Sequence, residues 1–362
     1  MMNKRIKVLF TISNFNTAGS GKVVYDLVRG LDKKKFEIHI ACGDNKGAFF
    51  KEAEALGLPI HVFETKTHYR PYHTLLFRIR PISKFYKTHG FDIVHSWQWS
   101  NDWTEALAAR LVGVKWMYTK KAMGFNKHWK IKSFLANFIV TINDEMKQYF
   151  PNKKAQKLIP IGIDTDYYSP NHYKKKPSDQ FKIITVANLV PVKGIEVLIN
   201  AIHQLNDPEI TLDILGDCSN DYGQKMQQLC QTLGLSDQIT FYGKKMDVRP
   251  YIAKSDMYVI PTLNQGRKEG MPMALVEAMC MGIPLLGSDI TGINFVLKAF
   301  KDLLFEAGNS EELSRKISRL KSLSFEERQQ IGQDLRHYCI DNFSMETFIS
   351  DHEALYTKLM SS

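Results

Sequence analysis

Short apolar runs alternate with stretches of helical period along the whole chain. Residues 7–12 (KVLFTI) form a β-branched run that ends in a glycine-containing loop, 14–21, and residues 23–31 then repeat apolar positions at helical spacing. The alternation continues with an expected strand at 36–41, a helix at 49–56 and a strand at 60–63, and three more strands at 93–95, 115–119 and 138–142. Strands this short and apolar, separated by helical stretches, predict a parallel sheet covered on both faces.

A second series follows a polar, proline-bounded stretch, YSPNHYKKKPSDQ (168–180), which has the composition of a linker. Strands are expected at 182–186, 211–215, 239–242, 257–260 and 284–287, with helices at 194–205 and 273–281 among those between them. Two doubly wound, Rossmann-like α/β domains fit this pattern, one over 1–170 and one over 171–344. Ligands of such sheets bind at the carboxyl ends of the strands, which makes the cleft between the domains the expected site. Residues 345–358 read as a closing helix; the sequence does not say which domain it packs on, and a return of 345–362 to the first domain is one option.

Length and composition agree with this division. The chain has 362 residues, 44% hydrophobic and 24% charged, enough for two buried cores and far from disordered or fibrous composition. Charge refines the picture: the total is +10, but residues 1–180 carry 30 basic and 15 acidic side chains, leaving 18 and 23 for the remainder. The first half therefore suits an anionic partner and the second does not. Five cysteines stand singly without Cys-x-x-Cys spacing, which favours a reducing, cytoplasmic setting over a disulfide framework or a zinc site. The first apolar run spans only 8–12, too short for a signal-peptide core, and no window approaches a membrane span.

The most informative chemistry lies in Glu269-Gly-Met-Pro-Met-Ala-Leu-Val-Glu277, after the expected strand 257–260. Two carboxylates eight residues apart lie a little over two helical turns apart, so they project from nearly one face. Glu277 sits among Leu275, Val276, Ala278 and Met279, where an uncompensated carboxylate is costly and hydroxyl donors from a ribose or sugar would satisfy it. The amides of Gly270, Met271 and Met273 lie at a helix start, where anions are favoured.

This segment resembles the Glu-x7-Glu signature of the retaining glycosyltransferases of family 4, which have the GT-B fold. Asn188-Leu-Val-Pro-Val-Lys193-Gly194 resembles the family's Arg-Leu-x-Pro-x-Lys-Gly loop, Ile161-Gly-Ile-Asp164 its Asn-Gly-Ile-Asp, and Leu215-Gly-Asp217 its mid-domain strand end. Thr17-Ala-Gly19-Ser-Gly21-Lys22 resembles its glycine-rich first loop; a Walker sequence is excluded by Asn16 and Val23, and the dinucleotide fingerprint by Val24. The resemblance implies two Rossmann-like domains, a nucleotide-diphosphate sugar as donor and co-substrate, no other cofactor and no catalytic metal. It implies that Glu277 receives ribose hydroxyls, Glu269 the donor sugar, and that Lys193 neutralises the departing diphosphate. Gly19, Asn188 and Arg267 join Gly270, Met271 and Met273 as donor contacts. The motif of Asp164-Thr-Asp166 is expected to be structural.

Two positions depart from the family pattern. Asn188 replaces its usual arginine, so diphosphate neutralisation falls to Lys193 with Arg267 or Lys268. The catalytic-region histidine that often follows the strand at 115–119 is absent, and Lys120 and Lys121 stand there instead. Residues 65–91 contain no acid, and Lys66, Arg70, Arg78, Arg80, Lys84 and Lys87 alternate with aromatic and aliphatic side chains; 106–143 is likewise acid-free and basic. No nucleic-acid module accompanies them, so such stretches point to an anionic membrane surface. The expected acceptor is a lipid-linked or membrane-associated glycan or glycolipid in cell-surface polysaccharide or glycolipid synthesis, approached from the inner face of the cytoplasmic membrane. Trp97, Trp99 and Trp103 stand near a strand end, where they either stack on an acceptor sugar or belong to the core. The alternatives are a catalytically weak nucleotide-sugar-binding partner subunit and a peripheral membrane scaffold.

Overall fold

The computed structural model describes residues 4–16, 18–47, 49–174, 178, 180–266 and 270–361, with residues 18–20 described in backbone only. The chain divides into two units, Met1–Gly162 with Met345–Ser362, and Ile163–Ser344.

The first unit holds a parallel sheet of seven strands: β1 (Ile6–Ile12), β2 (Phe36–Cys42), β3 (Ile60–Val62), β4 (Ile93–Ser96), β5 (Lys115–Lys120), β6 (Phe138–Thr141) and β7 (Gln156–Leu158), in the order β3-β2-β1-β4-β5-β6-β7. The central strands are buried on both faces because helices cover both. Helix Leu75–His89 shows how: Leu75, Ile79, Ile82, Ser83 and Tyr86 turn inward at helical spacing and leave the basic positions outside. The closing helix, Met345–Ser361, belongs to this unit. It buries Phe348, His352, Leu355, Tyr356 and Leu359, and the Tyr356 hydroxyl lies 2.7 Å from His95 Nδ1.

The second unit holds six parallel strands: β8 (Phe181–Val186), β9 (Ile210–Leu215), β10 (Ile239–Gly243), β11 (Met257–Ile260), β12 (Leu285–Ser288) and β13 (Leu304–Phe305), in the order β10-β9-β8-β11-β12-β13. Both sheets thus reverse direction once, between β1 and β4 and between β8 and β11. The reversal opens a crevice at the carboxyl ends of those strands.

The structure moves three expectations. The boundary falls at 162/163 rather than 170/171, because the Ile163 amide donates to the Phe343 carbonyl at 2.8 Å and Arg336 holds the Thr165 and Tyr168 carbonyls. The first helix starts at Ala18 rather than at Val23, so Gly19 and Gly21 lie in its opening turns. The low helix propensity of glycine is outweighed by close packing, since a Cβ on Gly21 would lie 3.1 Å from the Phe15 ring. Strands β7 and β13 carry no readable period, being three- and two-residue strands at sheet edges.

Candidate functional site

The crevice of the second unit is built from the loop after β8 (187–194) and the loop that follows β11 (261–266). They touch: the Leu263 amide donates to the Val192 carbonyl at 2.8 Å. Gly194, at φ 62°, makes this approach possible, because a Cβ there would lie 2.2 Å from the Pro261 carbonyl oxygen. The same loop is supported from β9. Gly216 lets the Ala187 carbonyl within 2.0 Å of where a Cβ would be, and Asn220 Nδ2 donates to the Leu189 carbonyl at 3.0 Å. The Tyr222 hydroxyl accepts from the Ile195 amide at 2.9 Å and donates to Glu196, capping helix Ile195–Leu205. Lys193 thus ends a short turn, Pro191–Lys193, whose backbone is fixed on both sides, and its side chain is half-buried. Asn188 is exposed on the same loop.

Beyond the second loop, Gly270, Met271 and Pro272 are buried and helix Met273–Cys280 begins with Met273 half-buried. Glu277 faces partly outward from this helix while Leu275, Val276, Ala278 and Met279 are buried, as its neighbours' composition required. Burial, and after it the negative charge of this carboxylate, raises the pKa of the Tyr168 phenol. The Thr262 hydroxyl, buried in the loop after β11, has no hydrogen-bond partner among the described residues. Arg267, Lys268 and Glu269 lie outside the described residues, and so does Thr17. Sequence reasoning missed Tyr168, whose only signal was an aromatic pair, Tyr167 and Tyr168, just after Asp164. Asp164 itself accepts from the Tyr167 amide at 2.9 Å, a turn-forming contact.

In the first unit the carboxyl ends of β1, β3, β4 and β5 carry a connected polar cluster. Ser13 Oγ donates to Gln98 Oε1 at 2.6 Å, and Lys66 Nζ reaches the same oxygen at 3.4 Å. Lys121 donates to the Trp97 carbonyl and lies 4.4 Å from the Trp99 ring centroid, with Trp99 itself 48% exposed. Two of the candidates for acceptor or phosphate contact, Trp97 and Lys120, fall in the interior. Trp97 is fully buried against His95 and Phe348, so it is core and offers no face to a sugar. Lys120 is also buried, donates to the Ala122 and Gly124 carbonyls, and lies 3.9 Å over the Trp129 ring, which makes it an internal tie for the 121–124 turn. Trp103 is buried as well. Among the described residues no group of three or more His, Cys, Asp and Glu side chains could hold a metal ion, and no helix is long and apolar enough to cross a membrane.

Comparison with known proteins bears on both units. The family model described as Glycosyltransferase Family 4 matches residues 17–167, and that described as Glycosyl transferases group 1 matches 171–338. The capsular polysaccharide biosynthesis glycosyltransferase CapH of Staphylococcus aureus is 24% identical over 347 residues, 88% of this chain and 93% of that protein. A glycosyltransferase structure from Rickettsia africae superposes with a TM-score of 0.86 at 18% identity, covering 99% of each chain. Anabaena HepE in complex with UDP superposes with a TM-score of 0.83 at 18% identity, covering 98% of this chain and all of that one. With one half matched by each of the two family models and a fold shared end to end with these structures, the chain belongs to the family 4 type of GT-B glycosyltransferases.

Proposed function

We propose that this glycosyltransferase moves a sugar from a nucleotide-diphosphate donor to an acceptor hydroxyl with retention at the anomeric carbon, in the synthesis of a cell-surface polysaccharide or glycolipid. One observation carries the reading: the loops bearing Lys193 and leading to Glu277 meet at the topological switch point of the second sheet, where open α/β sheets take their ligands. There Lys193 neutralises the diphosphate as it departs. Charge on the leaving group grows as the glycosidic bond breaks, so a fixed cation favours the transition state over the bound donor. Glu277 receives the ribose hydroxyls, Asn188 donates to the diphosphate in place of an arginine, and the buried amides of Gly270 and Met271 turn toward donor oxygens. Glu269 contacts the donor sugar and Arg267 adds charge at the diphosphate. Departure and hydroxyl attack occur on one face with the phosphate as base, so no nucleophilic carboxylate and no metal is required. A UDP-bound neighbour of the same fold and a capsular polysaccharide relative support a nucleotide-sugar donor and a glycan acceptor.

The acceptor belongs to the first unit, near Trp99 and Lys121, and is lipid-linked or membrane-associated. Right-handed crossovers place helices Leu75–His89, Thr104–Leu111 and Lys127–Leu135 on one sheet face, and Ser83 Oγ joins the first two through the Ala108 carbonyl at 2.9 Å. Outward from this layer stand Leu76 (64% exposed), Phe77 (79%) and Phe134 (76%), beside exposed Arg80, Lys84, Lys87, Lys127 and Lys130. Apolar side chains flanked by cations suit an anionic bilayer surface at the inner face of the cytoplasmic membrane.

The test is a screen of the purified chain against UDP-, GDP- and ADP-hexoses, measuring nucleoside diphosphate release and the anomeric configuration of the product by NMR. Release with retention from one donor class supports the reading. Inversion removes the retaining mechanism. Nucleotide binding without turnover from any donor favours the catalytically weak partner subunit, toward which the uncharged Asn188 points.

A further inference from the structure

Helix Ile195–Leu205 begins directly after the Lys193 turn, and its N-cap is Gly194, which has no side chain to accept a first-turn amide. Ser, Thr, Asp or Asn ordinarily stands there, but φ 62° and the close Pro261 carbonyl require glycine. The cap comes instead from Tyr222, 27 residues beyond Ile195: its hydroxyl accepts from the Ile195 amide at 2.9 Å and donates to the Glu196 carboxylate. Tyr222 lies in the first turn of helix Asp221–Thr232, and that turn is itself fixed. Asn220 Oδ1 accepts from the Gly223 amide at 2.9 Å, and a Cβ on Gly223 would lie 2.5 Å from the Cys218 Cα. Asp217, at the strand end, accepts from the Ser219 amide at 3.0 Å and from its hydroxyl at 2.6 Å. The same Asn220 donates through Nδ2 to the Leu189 carbonyl at 3.0 Å. The segment after β9 therefore grips the Lys193 loop at both ends, at Leu189 before the lysine and at Ile195 after it. This gives the Leu215-Gly-Asp217 strand end a task, since it launches the gripping segment.

We propose that Tyr222 is a positioning residue for the donor's diphosphate: by pinning the first turn of helix Ile195–Leu205, it holds the Lys193 ammonium where the diphosphate lies. This rests on the reading of Lys193 as the diphosphate cation. Lysine is a point charge on a flexible stem, so its reach is set by where the backbone starts it. Within the loop the Lys193 amide donates to the Val190 carbonyl at 2.9 Å and the Gly194 amide to the Pro191 carbonyl at 3.1 Å, so the turn moves as a unit with its ends. Without the hydroxyl, the Ile195 amide and the Glu196 carboxylate lose their shared partner. Ile195 is fully buried, so an amide unpaired there has little water to turn to, and the turn shifts to satisfy it. The effect falls on the diphosphate rather than on the base or ribose. It is therefore separable by ligand chemistry, because a nucleoside monophosphate carries less of the charge that Lys193 meets.

The experiment uses whichever of UDP, GDP and ADP raises the melting temperature most, together with the corresponding monophosphate, and measures dissociation constants by calorimetry for wild type, Tyr222→Phe, Lys193→Ala and the double variant. Ser324→Ala, which removes the side-chain cap of helix Phe325–Phe343, controls for the loss of a helix cap as such. Lys193→Ala is expected to shrink the diphosphate's advantage over the monophosphate. Tyr222→Phe is expected to weaken the diphosphate about 3- to 10-fold, by the net strength of one hydrogen bond, and to leave the monophosphate nearly unchanged. The double variant should bind the diphosphate no worse than Lys193→Ala alone, and Ser324→Ala should keep the wild-type advantage. If Tyr222→Phe weakens both ligands equally, or if Ser324→Ala shrinks the advantage as much, the role is structural and the proposal fails. If Lys193→Ala shrinks the advantage but Tyr222→Phe changes neither ligand, the positioning role fails and the Lys193 reading stands. If Lys193→Ala leaves the advantage intact, the Lys193 reading fails and takes the proposal with it. Should Tyr222→Phe not fold, Asn220→Ser keeps a capping oxygen for Gly223 and drops the donor to Leu189, releasing the other end of the loop; an unchanged advantage there overturns the proposal.

Discussion

Gly194→Ala probes the meeting of the two donor loops, because the glycine is required there twice over. At φ 62° any other L-residue bears a left-handed backbone cost of about 1–2 kcal/mol. In addition its Cβ would stand 2.2 Å from the Pro261 carbonyl oxygen and 3.1 and 3.2 Å from Leu263 side-chain carbons, so one loop must retreat from the other. Forced overpacking of this kind costs a further ~1–3 kcal/mol. Gly234 supplies the control within the same unit: φ is 70°, and nothing lies within 4 Å of the position its Cβ would take. Gly234→Ala should therefore lose only the backbone component, and Gly194→Ala roughly 2–5 kcal/mol. Urea denaturation followed by circular dichroism measures both, with m-values compared to confirm that the same transition is observed. Calorimetry with the nucleoside diphosphate that binds best then reads the site. Gly194→Ala should also weaken that ligand, since Lys193 precedes the displaced residue, whereas Gly234→Ala should not. Equal destabilisation by the two substitutions would refute the close loop contact, and unchanged ligand affinity in a measurably destabilised Gly194→Ala would detach the loop from the site.

The other predictions address the first unit. His352 is wholly buried in the closing helix, and burial lowers its pKa from 6.5 to about 4, while adjacent His95 is lowered as well. A histidine with a depressed folded pKa gives stability that is complete above the unfolded value and lost as pH falls toward the folded one. Its share, about 3 kcal/mol, should disappear between pH 6.5 and 4, and His352→Gln should flatten that part of the urea-midpoint profile. Lys120→Met should destabilise by about 1–3 kcal/mol through two carbonyls left without their donor, with donor KM unchanged, whereas Lys121→Ala should raise acceptor KM in steady-state kinetics. Replacing Arg80, Lys84 and Lys87 with glutamate should weaken sedimentation with phosphatidylglycerol vesicles and remove its salt dependence; binding that ignores both would refute the anionic-surface assignment.

How far the sequence reached follows from what each signal encodes. The β11 strand is found at 257–260 as expected, because an apolar run bounded by turn residues has no other use in a parallel sheet. The turn that carries Lys193 and the helix that carries Glu277 were legible because Pro191 and Gly194 on one side and the apolar run Leu275 to Met279 on the other mark them. Lys120 and Lys121 were not separable, since adjacent positions on a strand point to opposite faces and a Lys-Lys pair does not say which side is the core. Trp97 and Trp99, one buried and one half exposed, lie past the end of β4, where no strand or helix period says which of them turns inward. That Tyr168 is buried and held by Arg336 escaped notice because the arginine is more than a hundred residues away, and the tyrosine's own stretch reads as linker composition. The membership of 163–170 in the second unit rests on Arg336, another contact between distant segments that local pattern does not encode.

The account stands most directly on Lys193 as the cation at the departing diphosphate. Its measure is kcat of Lys193→Ala at saturating donor, with nucleoside diphosphate release as the readout and a melting temperature near wild type as the check on folding. Loss of one preorganised group that stabilises developing negative charge predicts a fall of about 100- to 1,000-fold. Turnover within a few-fold of wild type would contradict it.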